Sequence, residues 1–494
     1  MLGITLGPRR VHVAMLVFLG LLTNYMLRVN LNLTIEYMTT KEGNDNYVEW
    51  TSSQQEDIKG AFYIGYFILQ VPGGRVAEVF GTKRVFGYCM FVCAAMAALT
   101  PVCSCLSSSA TSYGLVYTLR VVQGLSQSVC FPSLHPLTAK WSPEPEKGRF
   151  VSFSYLGGTF GSVVTFPLCG VIIDTLGWVW VFYITSFITF FWFLLWMLFV
   201  TDLPEDDPFI TETEKKLILN QRPFNPQQLE ADRAIPLVPL TWDIIKTPAV
   251  WVVMCCDFCN GFGLYILLTE GSAFIKNVVL PGYAATTIGL VTAAPQLARF
   301  LYGQVCGVFS DWVIMRGHLS RLNMQKVNVI LAFIIPGIGM IAMTFFTSNS
   351  LKWVGIAIMC VTFSFNGGTM AGHIQNIIGL APNRSGTLYG VSNGFGNLSG
   401  FLVPEITKRI IGTCGEVCDT DVTRWRWLFI VAAGCYALTT TIFCVGAASK
   451  EQKFNNKTYS GVTTTSYMKE ELSKLTHICK NTDTTKNNVT SKAV

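Results

Sequence analysis

The chain has 494 residues, of which 51% are hydrophobic and only 13% are charged. Because soluble domains carry about 25% charged residues, this composition excludes a soluble globular protein and indicates a chain that crosses a lipid bilayer many times. The formal net charge of +6 is spread over the loops between apolar segments, so we expect no nucleic-acid partner.

Twelve apolar segments of the chain are long enough to cross a bilayer, which takes about 20 residues in a helix. Their expected positions are residues 11–34, 58–79, 84–106, 113–138, 150–173, 178–200, 249–275, 285–313, 325–346, 352–380, 386–410 and 426–448. The sequence therefore predicts an all-α polytopic membrane protein with twelve transmembrane helices.

Lysine and arginine residues concentrate in alternate loops. Arg9 and Arg10 precede the first segment, Lys83 follows the second, and Lys450 follows the last. Since cytoplasmic loops of membrane proteins are enriched in basic residues, both termini are predicted to be cytoplasmic. We expect a cytoplasmic N-terminus over 1–10, a six-helix bundle over 11–200, a cytoplasmic linker over 201–248, a second six-helix bundle over 249–448 and a disordered cytoplasmic tail over 449–494. We also expect a monomer, in the plasma membrane rather than a lysosomal or vesicular membrane.

The fourth segment carries a row of polar side chains within an apolar stretch. On a helix, Arg120, Gln123, Gln127, Phe131 and His135 lie roughly on one face. A charged side chain at bilayer depth costs several kcal/mol unless it faces a wet cavity or a partner. This face therefore predicts the lining of a translocation pathway, and the alternative for Arg120 is a structural cap at the membrane edge.

A second arginine, Arg28, falls about 25 Å along the first segment by the helical rise per residue, and Arg120 falls about 12 Å into its own segment from the outer side. Both are predicted to reach the outer half of a central cavity, where the planar guanidinium can grip a carboxylate or phosphate in two places. The alternative for Arg28 is a side chain that extends to the outer headgroups. Neutral hydrogen bonds to a substrate are predicted from Tyr25, Tyr155, Asn260 and Tyr265.

Two loops share a glycine and acid pattern. One contains Gly74, Glu78, Gly81 and Arg84, and the other contains Gly307 and Asp311. The first loop resembles the inner loop of the major facilitator superfamily, with Glu78 where that family usually has aspartate. The resemblance implies a conformational motif at both loops and a fold of two pseudo-symmetric six-helix bundles. A repeated order of histidine, proline and a glycine-rich segment ending in proline supports the same division: His135, Pro143 and Pro167, then His373, Pro382 and Pro404.

The fourth and fifth segments indicate one particular family within this superfamily. The residues that carry it are Arg28-Val29-Asn30-Leu31, Arg120-Val121-Val122-Gln123-Gly124-Leu125, Phe131-Pro132, His135, Lys140-Trp141-Ser142-Pro143, Arg149, Ser154-Tyr155, Ala381-Pro382, Gly386-Thr387-Leu388 and Gly390. They resemble the anion:cation symporter family, which includes phosphate cotransporters, the lysosomal sialic-acid exporter and vesicular glutamate transporters. The resemblance implies an alternating-access transporter of a small anion, coupled to Na⁺ or H⁺ and without a cofactor, in which Arg28 and Arg120 are linked to anion binding.

The coupling ion is left open between H⁺ and Na⁺. Proton-coupled relatives carry a glutamate on the fourth span, where this chain has Gln127, and neither Gln127 nor Gln123 titrates. His135 remains on that face and can change charge near neutral pH, although a lone histidine in a span is more often structural. Glu270 and His373 are further candidates, and the alternative for Glu270 is a place at the outer membrane edge. Neutral amide oxygens can help to coordinate Na⁺.

The seventh segment helps to distinguish between classes of anionic substrate. Glutamate-transporting relatives place an arginine where Asn260 falls, so the resemblance favours phosphate or a small organic anion, as in an inorganic phosphate cotransporter. No paired-carboxylate, zinc, nucleophile-elbow or Walker pattern lies in a polar region, so we expect no enzyme activity and no bound metal. The alternative function is a membrane receptor that senses an anion without transporting it.

Overall fold

The computed structural model describes residues 7–41, 46–106, 108–143, 147–221, 237–348, 350–381, 385–411, 421–448 and 450–455. The first half contains α1 (Arg9–Met38), α2 (Ser52–Phe80), α3 (Thr82–Ser104), α4 (Ser109–Ser128), α5 (Cys130–Trp141), α6 (Lys147–Leu176) and α7 (Trp178–Phe199). A 3₁₀ turn (Pro204–Asp206), α8 (Glu212–Gln221) and α9 (Leu237–Ile245) follow in the connection between the halves.

The second half begins with α10 (Pro248–Tyr265), which continues through a π-helical turn (Ile266–Glu270), α11 (Gly271–Phe274) and a second π-helical turn (Ile275–Val279). Next come α12 (Ala285–Met315), α13 (Arg321–Met343), α14 (Lys352–Asn366), a 3₁₀ turn (Gly367–Met370), α15 (His373–Leu380), α16 (Ser385–Ile410) and α17 (Val422–Gly446). A short 3₁₀ turn, Lys453–Asn455, closes the described chain.

Each of the twelve predicted segments coincides with one helix or one series of helical turns. The fourth span divides into α4 and α5 at Val129, because Pro132 has no N–H to donate to the carbonyl of Ser128. Of the described helices, eight are long and apolar enough to cross a membrane by length and composition alone. The other four predicted spans, α2, α4 with α5, α12 and α16, carry more charged, amide and small residues.

Corresponding helices pack in the same way within each half. In the first half the main pairs are α1 with α6, α2 with α4, and α3 with α7. Their counterparts in the second half are α10 with α16, α12 with α14, and α13 with α17. The helices from corresponding positions in the chain are therefore partners in both halves, which is the arrangement expected of two six-helix bundles that repeat one plan.

The two halves meet through α6 with α12 and α2 with α16. We call the end of the bundle where α1 begins the proximal end, and the end where α1 finishes the distal end. The polar contacts between halves lie toward the distal end: Asn32 Nδ2 donates to the Leu268 carbonyl at 2.8 Å, Ala285 N donates to Asp174 Oδ1 at 2.9 Å, and Lys408 Nζ lies 2.7 Å from Asp57 Oδ1. In this conformation the distal side of the central region is closed.

The connection between the halves packs against the N-terminus. Arg9 Nε lies 3.1 Å from an Asp207 carboxylate oxygen, and Arg10 Nη1 lies 3.1 Å from Glu214 of α8. The acidic first turn of α8 holds the start of α1 at the proximal end. Residues 222–236 of the predicted linker and 456–494 of the predicted tail lie outside the described residues, so the five domain boundaries stay predictions.

Candidate substrate site

Arg28 sits in a cage of aromatic rings at the junction of the two halves. Its side chain is buried (3% exposed), and its Nη2 donates to the Tyr265 hydroxyl across the junction at 2.8 Å. The central guanidinium carbon lies 4.9–5.5 Å from five ring centroids, those of Tyr25, Phe62, Tyr63, Tyr66 and Tyr265. Ring faces attract a cation without neutralising it, so the cage holds Arg28 in place with its charge intact.

Arg120 lies beside Arg28 and is equally buried (3% exposed). Its Nη1 donates to Gln123 Oε1 at 2.8 Å, and its Nη2 lies 3.4 Å from the Arg28 carbonyl oxygen. Its guanidinium carbon is 5.0 Å from the Phe62 ring, which Arg28 also contacts at 5.2 Å. Both guanidinium groups are enclosed by neighbouring helices, which favours a site at the junction over the two alternatives, a headgroup arginine at Arg28 and an edge cap at Arg120.

Two glycines bring α2 and α4 close enough to place Phe62 between these arginines. A Cβ at Gly124 would collide with the Phe62 carbonyl, and a Cβ at Gly65 would collide with the Val121 carbonyl. Small residues at both positions are therefore required for this helix pair, as at many close helix contacts in membranes. The close approach fixes the backbone of Phe62 against the turn that carries Arg120.

A third buried arginine, Arg299, was not among the predicted site residues. It lies on α12 with 9% exposure, and its Nε donates to Asn366 Oδ1 at 2.8 Å. Asn366 Nδ2 donates in turn to Asn260 Oδ1 at 3.1 Å. The sequence does contain a signal for Arg299, because it is an arginine within the apolar stretch 285–313.

These three arginines have no acidic counter-charge among the residues that the structure describes: no aspartate or glutamate lies within ion-pair distance of Arg28, Arg120 or Arg299. The Nε atoms of Arg28 and Arg120 are buried, and neither has a hydrogen-bond partner within the described ranges. Buried charges are normally paired, so this cluster is an electrostatically incomplete site that an anion would complete.

Of the two glutamines predicted to line the pathway, Gln123 contacts a site arginine and Gln127 bonds elsewhere. Gln123 accepts from Arg120, but Gln127 Nε2 bonds to the Asn24 carbonyl and Cys93 Sγ, both at 3.1 Å, and is wholly buried among α1, α3 and α4. Gln127 therefore links helices within the first half. Predictions for the side chains of two residues, His135 and Tyr155, lie outside the described side chains.

Glu270 belongs to a buried cluster of four charged residues near the distal end. Lys59 Nζ lies 2.7 Å from Glu56, 3.1 Å from Glu270 and 3.6 Å from Glu36. Lys59 and Glu270 are each 1% exposed, so Glu270 does not lie at the exposed membrane edge. The cluster joins α1 and α2 to the π-helical turn after α10, and Glu270 is its one member among the predicted site residues.

His373 pairs with an aspartate that the sequence analysis passed over. Its Nε2 lies 2.9 Å from Asp257 Oδ1, and Ser392 Oγ donates to Asp257 Oδ2. The histidine is fully buried. Asp257 stands one helical turn before Asn260, so this group and the Asn260–Asn366–Arg299 chain share the second half.

The loop motif residues are partly described. Gly81 has a φ of +86° between α2 and α3, and Asp202 Oδ1 accepts from the Lys83 backbone N–H at 2.8 Å to hold that turn. Arg84 and Asp311 are exposed, Gly74 lies in α2, and Gly307 lies in α12. The side chain of Glu78 is outside the described side chains, so the motif's conformational role stays a prediction.

Lys59 provides a test of the distal cluster. We expect Lys59→Met to lower the melting temperature of the purified protein by several degrees, because three buried carboxylates lose their shared cation. Adding Glu270→Gln should restore part of the loss, because it removes one of the three negative charges. A melting temperature equal to wild type at neutral pH would show that the cluster does not hold the distal end.

The sequence model of the Major Facilitator Superfamily matches residues 17–404. Human sialin is 27% identical over 469 residues, covering 90% of this chain and 90% of sialin. Bovine vesicular glutamate transporter 1 is 28% identical, covering 90% of this chain and 78% of that protein. Both relatives are members of the anion:cation symporter group, as the motif resemblance predicted.

Solved structures share the fold. An inward-facing, unoccupied bacterial homologue of the human lysosomal transporter Spinster superposes with a TM-score of 0.64 at 14% identity, covering 89% of this chain and 97% of that one. A D-xylose–proton symporter superposes with a TM-score of 0.62 at 15% identity, covering 89% and 99%.

The predictions of fold, of transport and of a non-enzymatic role are confirmed, and the comparisons give no support to an anion-sensing receptor. The family match covers most of the chain, and the paired packing of corresponding helices agrees with it. This chain belongs to the Major Facilitator Superfamily and is a secondary transporter with two six-helix bundles that works by alternating access.

Proposed function

We propose that this transporter moves a small anion, inorganic phosphate or a small organic acid, together with Na⁺ or H⁺. The observation that supports the proposal is a set of three buried arginines, Arg28 and Arg120 side by side at the junction and Arg299 in the second half, with no acidic residue to neutralise them among those described. A cationic or neutral substrate would leave that charge uncompensated in a closed conformation. An anion would complete it and gain charge-assisted hydrogen bonds from the guanidinium groups.

The contacts of Arg28 suggest how the anion takes part in the conformational cycle. In this distally closed conformation Arg28 of the first half donates to Tyr265 of the second half, and Tyr265 donates to Asn397 of α16. An anion that binds Arg28 and Arg120 would compete for, or extend, this chain across the junction. Substrate binding would thereby change the free-energy difference between conformations, which is the requirement for a ligand to shift them.

The relatives agree with an anionic substrate. One is named for glutamate transport, although this chain has the neutral Asn260 where the motif comparison expected an arginine. Asn260 instead bonds to the Asn366 that holds Arg299. We therefore propose that Arg299 provides the positive charge of the second half, and that the different position of that charge selects a different anion.

For topology we propose that the proximal end faces the cytoplasm, with both termini there, so that the end closed in this conformation faces away from the cytoplasm. We place the monomeric protein in the plasma membrane, with the domain boundaries predicted above. The vesicular relative makes an intracellular membrane the competing location. Surface biotinylation of intact cells decides between them, because only a plasma-membrane protein is labelled without permeabilisation.

Uptake by purified protein in proteoliposomes tests the substrate class. We expect one or more of radiolabelled phosphate, sialate, glutamate and urate to accumulate under an imposed Na⁺ or H⁺ gradient, with phosphate or a small organic anion preferred over glutamate. Protein-free liposomes measure the passive leak of each labelled anion. Transport of a neutral sugar or of an organic cation in place of all four anions would overturn the proposal.

A further inference from the structure

The pair formed by Asp257 and His373 is the most specific charged arrangement that the anion site does not use. Asp257 comes from α10, His373 from the start of α15, and Ser392 from α16, so three helices of the second half meet at one carboxylate. His373 Nε2 is 2.9 Å from Asp257 Oδ1, while its Nδ1 is buried and, within the described part of the chain, has no hydrogen-bond partner. The Asp257 side chain keeps 10% exposure, so it is not fully enclosed.

We propose that Asp257 and His373 together bind the proton that drives transport, which makes H⁺ the coupling ion. The inference rests on the proposed anion transport and adds the identity and the site of the ion. Without the extra proton, a neutral His373 donates through Nε2 to the Asp257 carboxylate, and the pair carries one negative charge. A proton added to Nδ1 makes an imidazolium beside the carboxylate, and the pair becomes neutral. Histidine suits this exchange because it changes charge near neutral pH.

The surroundings of the pair contain no permanent charge that would hold it in one state, among the described residues in contact with it. Its neighbours include the Ser392 hydroxyl on α16 and the Phe333 ring on α13, which lies 5.9 Å from the His373 ring and stacks in turn on Tyr436 of α17. Asn328 of α13 donates to the Ala371 carbonyl, two residues before His373. Arg299 is linked to α10 through Asn366 and Asn260.

Two routes connect this pair to the arginines. On α10, Asp257 precedes Asn260 by one turn and Tyr265, the partner of Arg28, by about 12 Å of helix. On α16, Ser392 bonds to Asp257, and Asn397, which accepts from Tyr265, bonds to the neighbouring Asn393 carbonyl at 2.6 Å. The same two helices therefore carry contacts to both sites.

The charge of the pair decides whether proton binding strengthens or weakens anion binding. If the charge of the pair and the anion are separated by the same ~12 Å as Asp257 and Tyr265 along α10, removing one negative charge strengthens anion binding about tenfold at an effective dielectric constant of about 20. Because coupling between two sites is reciprocal, a bound anion also strengthens proton binding by the same factor. Anion and proton are then carried in the same direction, as a symporter requires.

The test uses full-length protein in sodium-free proteoliposomes and, as probe, the anion among phosphate, sialate, glutamate and urate that wild type accumulates. Asp257→Asn and His373→Gln are compared with His318→Gln, a matched variant that replaces an exposed histidine beside Trp312, away from the pair. Each is measured for accumulation driven by a pH gradient and for exchange of labelled against unlabelled anion at equal pH. Both coupling variants should lose at least about tenfold in accumulation and keep exchange at the wild-type rate, whereas His318→Gln should keep both activities.

The outcomes separate this inference from the proposed function. Wild-type accumulation driven only by Na⁺ would overturn the proton site and leave anion transport standing, whereas absence of exchange for all four anions in wild type would remove the proposed function itself. Accumulation by His373→Gln at the wild-type level would also overturn the inference. A parallel loss of exchange in a variant with an unchanged melting temperature would assign the pair to substrate binding instead. If Asp257→Asn does not reconstitute, His373→Gln and His373→Asn decide by the same criteria.

Discussion

Arg28→Ala and Arg120→Ala are each expected to reduce anion uptake by at least about 100-fold while leaving the amount of protein at the membrane unchanged. A hydrogen bond to a charged group contributes about 1.5–3 kcal/mol, and a bidentate arginine contact supplies two of them, so the loss exceeds about two factors of ten. Arg28→Lys should remain inactive, because an ammonium cannot reproduce the planar fork. Radiolabelled uptake, normalised to surface protein, measures the effect.

Arg409→Ala is the matched control for these two variants. Arg409 is an arginine near the end of α16 whose side chain is 77% exposed and pairs with Glu405 on the same helix. An exposed pair of this kind contributes little, so uptake should equal that of wild type. Normal uptake by both Arg28→Ala and Arg120→Ala would remove the proposed anion site.

Arg299→Gln is expected to reduce uptake about tenfold or more. Glutamine can still hydrogen-bond to Asn366, so the substitution removes the charge of the second half with little change in volume or in the Asn366–Asn260 contact. The apparent affinity for the anion should fall more than the maximal rate if Arg299 contacts substrate directly. Concentration-dependent uptake separates the two parameters.

Arg426→Gln is the control for this second substitution. Arg426 makes the same kinds of contact outside the pathway, since its Nε donates to Thr344 at 3.0 Å and its guanidinium carbon lies 4.2 Å from the Phe345 ring. Its replacement should leave affinity unchanged. Equal effects of the two substitutions would mean that Arg299 serves only the packing of the second half.

The helices and the first arginine pair were predictable from the sequence because the signals are local. A run of apolar residues predicts a span wherever it occurs, and the cost of burying Arg28 or Arg120 in lipid is the same in any such fold. The motifs around these two residues then identified the family. The confirmed assignments, twelve spans in two related halves and a transporter rather than an enzyme, follow from these features.

The missed residues depend on pairings between distant helices. Lys59 meets Glu270 across 211 positions, and His373 meets Asp257 across 116, so neither pair leaves a periodic signal. Arg299 had a local signal but no motif around it. Gln127 shows the converse: its helical face is predictable from the sequence, but only the neighbouring helices decide that its amide nitrogen bonds to the Asn24 carbonyl and to Cys93 Sγ.

A structure determined with the transported anion bound tests the central claim most directly. We expect the anion between the two halves, with its oxygens about 2.7–3.1 Å from guanidinium nitrogens of both Arg28 and Arg120, and with the Arg28–Tyr265 contact changed from its present 2.8 Å. An anion bound elsewhere, or arginines that stay enclosed by their present aromatic and amide neighbours while transport proceeds, would contradict the account.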